Sequence, residues 1–185
     1  MRKMKHKFTV LLMLAVLTAP VSCVKQQLET IYNDQEKRID QYIENNRGTE
    51  ENPLRVVYNE GSSRLVTKEG EGEELAPDGN IAFYYAGYTF SGSINNSNLF
   101  VTNHLESAAS AGWTLTDEDA KALTINMKEY ELLPGLRSGL TGVKAGEECQ
   151  ILFSGKYGFG KKAFGIVPAN SALVYKIWVE SISND

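Results

Sequence analysis

The spacing of apolar residues over Leu132–Gly160 predicts a short helix, a strand and a glycine-rich loop. Leu136, Leu140 and Val143 recur at steps of four and three, which is the spacing of one helical face. Glycines in the same segment lower its helix propensity, so packing has to stabilise this helix. Residues 147–154 then alternate between polar and apolar side chains, as a strand with one buried face does. A short helix on such a sheet is a frame for an apolar pocket.

Apolar and aromatic runs elsewhere in the chain predict further strands. They are Leu54–Tyr58, Ser63–Thr67, Asn80–Thr89, Ala122–Met127 and Ala172–Ile182. The first two flank Asn59–Ser62, a polar stretch that is typical of a hairpin turn. Many short strands with one short helix indicate an α+β fold whose sheet is mostly antiparallel.

A long helix is predicted over Val24–Asn46, where apolar side chains share one face. The stripe has a gap near Gln35. Such a helix could pack on its own domain or pair with a second copy in a homodimer. Fewer than four heptads is short for a coiled coil, which favours packing on the domain. The predicted segments are a signal peptide at 1–22, the helix and a linker at 23–53, lead-in strands at 54–77 and the main domain at 78–185.

The first residues have the pattern of an export signal. Basic residues precede the apolar run Phe8–Ala19, which is too short to span a bilayer and typical of a signal peptide. The serine before Cys23 resembles a bacterial lipobox, although Pro20 stands where that pattern usually has leucine. We expect acylation of Cys23 and anchoring in the cell envelope, at the outer membrane or facing the periplasm, without a transmembrane helix. An ordinary secretory signal that contains a cysteine is the alternative.

Composition excludes several classes of function. The hydrophobic fraction of 42% and the charged fraction of 23% are ordinary for a globular protein, and a formal charge of −4 gives no reason to expect a nucleic-acid partner. Cys149 falls on the apolar face of a predicted strand, so we expect a buried small hydrophobe.

Candidate groups for acid–base or metal chemistry are few. Outside the signal peptide His104 is the one histidine, and it lies in a polar loop. Neither a histidine-dependent nucleophile nor a zinc site is therefore expected. The carboxylates fall in loops and in the N-terminal helix, where charge is usually solvated. We expect no metal and no cofactor, which leaves a reaction or binding event that needs only shape and an apolar wall.

An ordered series of short motifs resembles a known family. The motifs are Tyr84–Gly87, Phe100, Leu132–Leu140, Gly146-Glu147, Tyr157-Gly158 and Gly165–Tyr175. Their order and spacing resemble the FKBP-type peptidyl-prolyl cis-trans isomerases, in the lipoprotein form of Gram-negative bacteria. The resemblance covers about residues 78–182. It implies a half-wrapped antiparallel sheet around a short helix, with a proline-binding pocket between them.

The resemblance also implies a set of site residues and a partner. The residues expected to act in catalysis are Tyr85, Phe100, Leu136, Tyr157 and Val167. Further contacts with the peptide are expected from Val101, Leu132, Leu133, Ile166 and Tyr175. The hydroxyl of Tyr157 would reach a carbonyl of the bound peptide from the rim. The partners would be proline-containing segments of exported polypeptides.

The sequence departs from the family pattern at the pocket. Val101 stands where the family usually has aspartate, Leu136 replaces the usual tryptophan, and the segment from Phe100 to Leu123 is longer than usual. We therefore expect weak or altered isomerase activity and poor affinity for the macrolide inhibitors of the family. Two functions fit the sequence: an isomerase that assists the folding of exported proteins, or a non-catalytic peptide-binding or chaperone-like lipoprotein on the same fold.

Overall fold

The computed structural model describes residues 19–185, with side chains from Val24 onward. Most of the predicted signal peptide, and the side chain of Cys23, lie outside the described residues, so cleavage and acylation stay predictions. Within residues 19–185, no helix offers the apolar run that a bilayer crossing requires.

Three helices and seven strands make up the described chain, besides two short 3₁₀ turns. The helices are α1 (Ala19–Asn46), α2 (Leu105–Ser110) and α3 (Pro134–Leu140). The strands are β1 (Val56–Asn59), β2 (Ser62–Lys68), β3 (Asn80–Phe90), β4 (Leu99–Thr102), β5 (Leu123–Asn126), β6 (Glu148–Phe153) and β7 (Ala172–Ser183). The predicted α+β class, with a short helix on an antiparallel sheet and an N-terminal helix, is confirmed.

All seven strands belong to one antiparallel sheet in the order β1-β2-β6-β7-β3-β4. Strand β5 also pairs with β3, at Asn80–Phe83, while β4 pairs with Ala86–Tyr88. Strands β4 and β5 therefore continue the same edge of β3, and residues 103–122 loop out between them. The turn between β1 and β2 uses Glu60 at φ 38° and Gly61 at φ 83°, the positive angles that a tight two-residue hairpin requires.

The first hydrophobic core lies between α3 and the concave face of the sheet. Leu136 and Leu140 of α3 are buried there, as their spacing predicts, and so is Val143. The helix ends at Leu140, so Val143 follows the helix and is not part of its face. A Cβ atom at Gly135 would collide with the ring of Phe153, and one at Gly139 with Ile151. The glycines that weaken α3 as an isolated helix thus allow it to lie directly on β6.

The second hydrophobic core lies between α1 and the opposite face of the sheet. Ile39 and Ile43 of α1 are 3% and 0% exposed, and they share a cluster with Leu152 and Val174. Strand β6 is therefore buried on both faces, whereas the alternation predicted one buried face. The apolar stripe of α1 packs on its own domain, and a homodimer through this helix stays a prediction.

A buried ion pair departs from the expectation that the carboxylates of this chain are solvated. The side chains of Arg64 and Glu147 are 3% and 0% exposed, and Arg64 Nε lies 3.3 Å from Glu147 Oε1. Arg64 also donates to the carbonyls of Gly139, Thr141 and Gly142, at 2.7, 2.8 and 3.1 Å. Arg64 therefore caps the C-terminal end of α3 while it neutralises a buried carboxylate. Cys149 is buried beside this pair, as predicted.

Candidate functional site

A cleft of about 270 Å³ opens between α3 and the concave face of the sheet. Its deep part is formed by Phe83, Leu136 and Tyr175, which are 1%, 6% and 6% exposed. Tyr130 and Phe164 stand at its rim and are 44% and 56% exposed. The full lining is Phe83, Tyr85, Phe100, Val101, Leu123, Tyr130, Glu131, Leu132, Leu133, Leu136, Phe159, Phe164 and Tyr175. The cleft opens to solvent at its rim, and its floor is buried and apolar.

Strand geometry explains why the lining residues meet. Phe83 and Tyr85 are two apart on β3, so they point to the same face of the sheet. The next position on that face is Gly87, where a Cβ would lie 2.8 Å from the ring of Tyr175 and 3.0 Å from that of Phe100. A side chain at this position would push the two rings apart. The glycine therefore lets β4 and β7 close the floor of the cleft.

Aromatic rings form a continuous wall from the floor to the rim. Phe100 meets Tyr175 edge to face, with ring centroids 5.9 Å apart, and meets Phe159 at 6.1 Å. Phe159 stacks on Phe164 at 4.7 Å. Edge-to-face and stacked pairs at these distances are mutually stabilising. Phe100 is the ring that joins the floor to the loop on the opposite side.

The electrostatic environment of the cleft is close to neutral. Among its described lining residues, Glu131 at the rim is the one with a formal charge. Burial raises the pKa of Tyr85 and of Tyr175 above the ordinary phenol value, so both hydroxyls stay protonated. His104 is not among the lining residues, and its ring stacks on Trp178 at 3.8 Å. The arrangement can bind and desolvate an apolar group, and among the described lining residues Glu131 at the rim is the one carboxylate that could accept a proton.

For the isomerase activity that the sequence resemblance implies, we predict that kcat/KM for a prolyl peptide changes by less than about twofold between about pH 6 and about pH 9. The raised pKa values of Tyr85 and Tyr175 favour the neutral phenol, so deprotonation begins only above this range. Exchange spectroscopy by NMR measures the rate without a coupling protease. If a plot of log kcat/KM against pH had a slope of one between about pH 6 and about pH 9, a titrating group would take part in the reaction.

Comparison with known families identifies the family of this chain. The sequence model of the family FKBP-type peptidyl-prolyl cis-trans isomerase matches residues 84–180, which is more than half of the chain. The chain belongs to the FKBP family. The match runs from β3 to β7 and so includes α3 and most of the cleft, whereas α1, β1 and β2 precede it.

Individual proteins agree with the FKBP assignment. FK506-binding protein 1 of Aspergillus oryzae is 25% identical over 117 residues, which cover 63% of this chain and 94% of that protein. A peptidyl-prolyl cis-trans isomerase from Pseudomonas syringae superposes with a TM-score of 0.58 at 13% identity, covering 84% of this chain and 96% of that chain. FkpA from Escherichia coli covers 99% of this chain and 74% of its own, at 17% identity and a TM-score of 0.55. These two structures show a shared fold, and the lipoprotein form stays a prediction.

Most of the site residues predicted from the FKBP resemblance line the cleft. They are Tyr85, Phe100, Val101, Leu132, Leu133, Leu136 and Tyr175. Their roles in binding and catalysis stay predictions. The sequence analysis missed Phe83, Leu123, Tyr130, Glu131, Phe159 and Phe164, which also line it. The alternation of side chains along β3 could have identified Phe83, since Phe83 lies on the same face of the strand as Tyr85. The other five lie on short or irregular segments, where periodicity gives no face.

Three predicted site residues do not line the FKBP cleft. The ring of Tyr157 lies against Gly61 in the β1–β2 turn, where a glycine Cβ would collide with it. Val167 is 1% exposed inside the first core, and Ile166 is 67% exposed on the loop. Tyr157 ends the 3₁₀ turn Gly155–Tyr157 and borders a separate depression beside Tyr58 and Gly61. Phe159 lines the cleft, and its phenyl ring has no hydroxyl to donate to a peptide carbonyl; the role of Tyr157 toward a bound peptide stays a prediction.

Alanine substitutions at Tyr157 and Phe159 are expected to affect different properties, namely stability for Tyr157 and peptide affinity for Phe159. We predict that Phe159→Ala weakens the binding of a proline tetrapeptide by about tenfold, because part of the apolar wall is lost. Tyr157→Ala should leave this affinity within about twofold of wild type, and it should lower the free energy of unfolding by about 1–3 kcal/mol through the lost packing on Gly61. Titration by NMR and urea denaturation measure the two quantities. Weak binding by Tyr157→Ala at unchanged stability would restore Tyr157 to the site.

Proposed function

We propose that this protein is a peptidyl-prolyl cis-trans isomerase that binds proline-containing segments of exported polypeptides in its apolar cleft. The observation that carries the proposal is the cleft itself, in which aromatic and aliphatic side chains surround a space of about 270 Å³ beside α3. Family membership supports the reaction class. The basic and apolar pattern of the first residues, with Cys23 after it, supports export and a membrane anchor.

The proposed reaction needs no nucleophile and no transferred proton. The barrier to rotation about a prolyl peptide bond is ~20 kcal/mol, since rotation breaks the amide resonance. The planar imide carries more charge separation than the twisted one, so removal of water disfavours the planar state relative to the twisted state. Each ~1.4 kcal/mol of such preference accelerates rotation tenfold. A neutral, aromatic cleft supplies this preference through its composition.

A second function is supported by two of the three departures from the family pattern. Val101 and Leu136 both line the cleft, at the positions where the family usually has aspartate and tryptophan. Phe159 likewise offers no hydroxyl at the rim. A cleft without these polar groups retains apolar affinity for proline and loses hydrogen bonds that could favour the twisted state. A peptide-binding or chaperone-like role without catalysis is therefore the alternative.

A protease-coupled assay on proline tetrapeptides separates the two functions. The residue before proline is varied across small, apolar, aromatic and charged types, and binding of the same peptides is followed by NMR. The isomerase proposal expects a rate above that of buffer for at least one peptide, in proportion to the protein concentration. Binding without acceleration would favour the chaperone-like role. Neither binding nor acceleration would contradict both.

A further inference from the structure

The gap in the apolar stripe of α1 is filled by a buried amide. Gln35 is 8% exposed, although it is polar and lies on the face that packs against the domain. Its Nε2 donates to the carbonyl of Asn170 at 2.6 Å, and its Oε1 accepts from the amide of Gly155 at 2.8 Å. One side chain of the N-terminal helix thus joins two backbone positions that are 15 residues apart.

Gly155 and Asn170 are the two ends of the segment that carries Phe159 and Phe164. We name residues 155–170 the aromatic loop. The amide of Gly160 donates to the carbonyl of Gly155 at 3.0 Å, and the amide of Asn170 donates to the carbonyl of Gly160 at 2.6 Å. Both ends of the aromatic loop therefore meet at Gly160, directly after Phe159. A shift at either end moves the ring that forms one wall of the cleft.

The C-terminal end of the loop adopts a backbone conformation that needs support. Asn170 has a φ of 60°, in the left-handed region that non-glycine residues seldom occupy. Its side-chain oxygen accepts a hydrogen bond from the hydroxyl of Tyr32 at 2.9 Å, and its carbonyl accepts the bond from Gln35. Two residues of α1 therefore hold this turn. At the other end, a Cβ on Gly155 would collide with the backbone of Asn170, so the ends are in direct contact.

We propose that Gln35 is a positioning residue of the cleft, which acts through Gly155 and Asn170 to hold Phe159 against Phe100, with Phe164 stacked on Phe159. The effect on substrate rests on the proposed function, whereas the effect on the loop does not. The helix that precedes the residues matched by the FKBP model thereby becomes part of the site. Glutamine suits the role because one amide group both donates and accepts at the same distance from the helix.

The test replaces Gln35 by leucine, which keeps the volume and removes both hydrogen bonds. In Gln35→Leu we expect hydrogen exchange at the amides of Gly160 and Asn170 to accelerate about tenfold or more, while exchange in β3 and β7 stays near wild type. The Kd for a proline tetrapeptide should rise about fivefold, the factor that corresponds to losing one hydrogen bond of average strength. KM should rise with it more than kcat falls.

Two control variants separate positioning from general stability. Gln41→Leu removes an exposed glutamine from the same helix, and we expect wild-type exchange and affinity. Ile43→Val removes a methyl group from the second core, where Ile43 is 0% exposed, and we expect a lower Tm with unchanged peptide affinity.

Three outcomes would overturn the role of Gln35. They are wild-type protection of Gly160 and Asn170 in Gln35→Leu, wild-type affinity in the same variant, or an equal loss of affinity in Ile43→Val. If Gln35→Leu does not fold, Tyr32→Phe tests the same clamp through Asn170, with a smaller effect in the same direction. If the wild-type protein neither binds nor isomerises any prolyl peptide, the proposed function fails. Hydrogen exchange at Gly160 and Asn170 then still decides whether Gln35 holds the aromatic loop.

Discussion

Replacing Arg64 by methionine is expected to lower the free energy of unfolding by about 3–5 kcal/mol, the usual cost of leaving one partner of a buried ion pair. Glu147 would keep only Arg55, whose Nη2 lies 3.1 Å from Glu147 Oε2 and whose side chain is 35% exposed. Three carbonyls at the C-terminal end of α3 would also lose their donor. Urea denaturation monitored by circular dichroism measures the change in the free energy of unfolding.

Lys68→Met is the matched control for Arg64→Met. Lys68 pairs with Glu148 at 3.0 Å, but the two side chains are 64% and 37% exposed. Removing an exposed pair should change stability by less than about 1 kcal/mol. Equal effects of the two substitutions would mean that the burial of Arg64 and Glu147 does not raise the cost of removing one partner. Because α3 carries Leu136 into the cleft, Arg64→Met should also weaken peptide binding.

Phe100→Ala is expected to reduce kcat/KM for a proline tetrapeptide by about tenfold to a hundredfold, the range that corresponds to the apolar surface of one aromatic side chain. Phe100 touches Tyr175 on the floor and Phe159 on the aromatic loop, so its removal opens both walls. The loss should appear in peptide affinity as well as in turnover. Titration and the protease-coupled assay measure the two parts.

Tyr58→Ala provides the control for Phe100→Ala. Tyr58 is on β1, away from the cleft, and is 63% exposed. Its truncation should leave kcat/KM within about twofold of wild type, since an exposed surface ring contributes little to stability or to the site. If Phe100→Ala retained wild-type turnover while it stayed folded, the aromatic wall would not be the binding surface.

Local periodicity was sufficient to predict the elements that frame the cleft. The positions of α3 and β6 follow from steps of three and four and from the alternation at the start of β6, although β6 is buried on both faces. Tyr85 and Tyr175 lie on long strands, where alternation fixes the face of every side chain. Their place at the cleft was therefore predictable once the family resemblance indicated which face is concave.

Loop residues could not be placed by the same reasoning. Tyr157 is followed by a glycine and Phe159 lies between two glycines, and local periodicity gives no reason to prefer one over the other at the rim. Tyr157 ends a local 3₁₀ turn, Gly155–Tyr157, whose first residue is hydrogen-bonded to Gln35 of α1. Gln35 and Gly155 are 120 positions apart, and no local pattern encodes such a contact.

Buried polar groups were missed for a related reason. Arg64 and Glu147 each lie in or beside a strand with alternating character, where a charged residue normally indicates the solvent face. They are buried because the C-terminal end of α3 supplies three acceptors to the same guanidinium. Gln35 was interpreted as a gap in an apolar stripe, because its two hydrogen-bond partners, Gly155 and Asn170, lie far from it in the sequence. In each case a hydrogen-bonding partner distant in sequence explains a polar residue within an apolar face.

The central claim is that the apolar cleft binds a prolyl segment and accelerates its rotation. The most direct measurement is two-dimensional NMR exchange spectroscopy of a proline tetrapeptide with a substoichiometric amount of isotopically labelled protein, with amide shifts mapped at higher protein concentration. The account predicts cis–trans exchange cross-peaks that buffer lacks, and shifts confined to residues around Phe100, Leu132–Leu136 and Phe159. Absence of exchange cross-peaks, or shifts centred on the β1–β2 turn beside Tyr157, would contradict it.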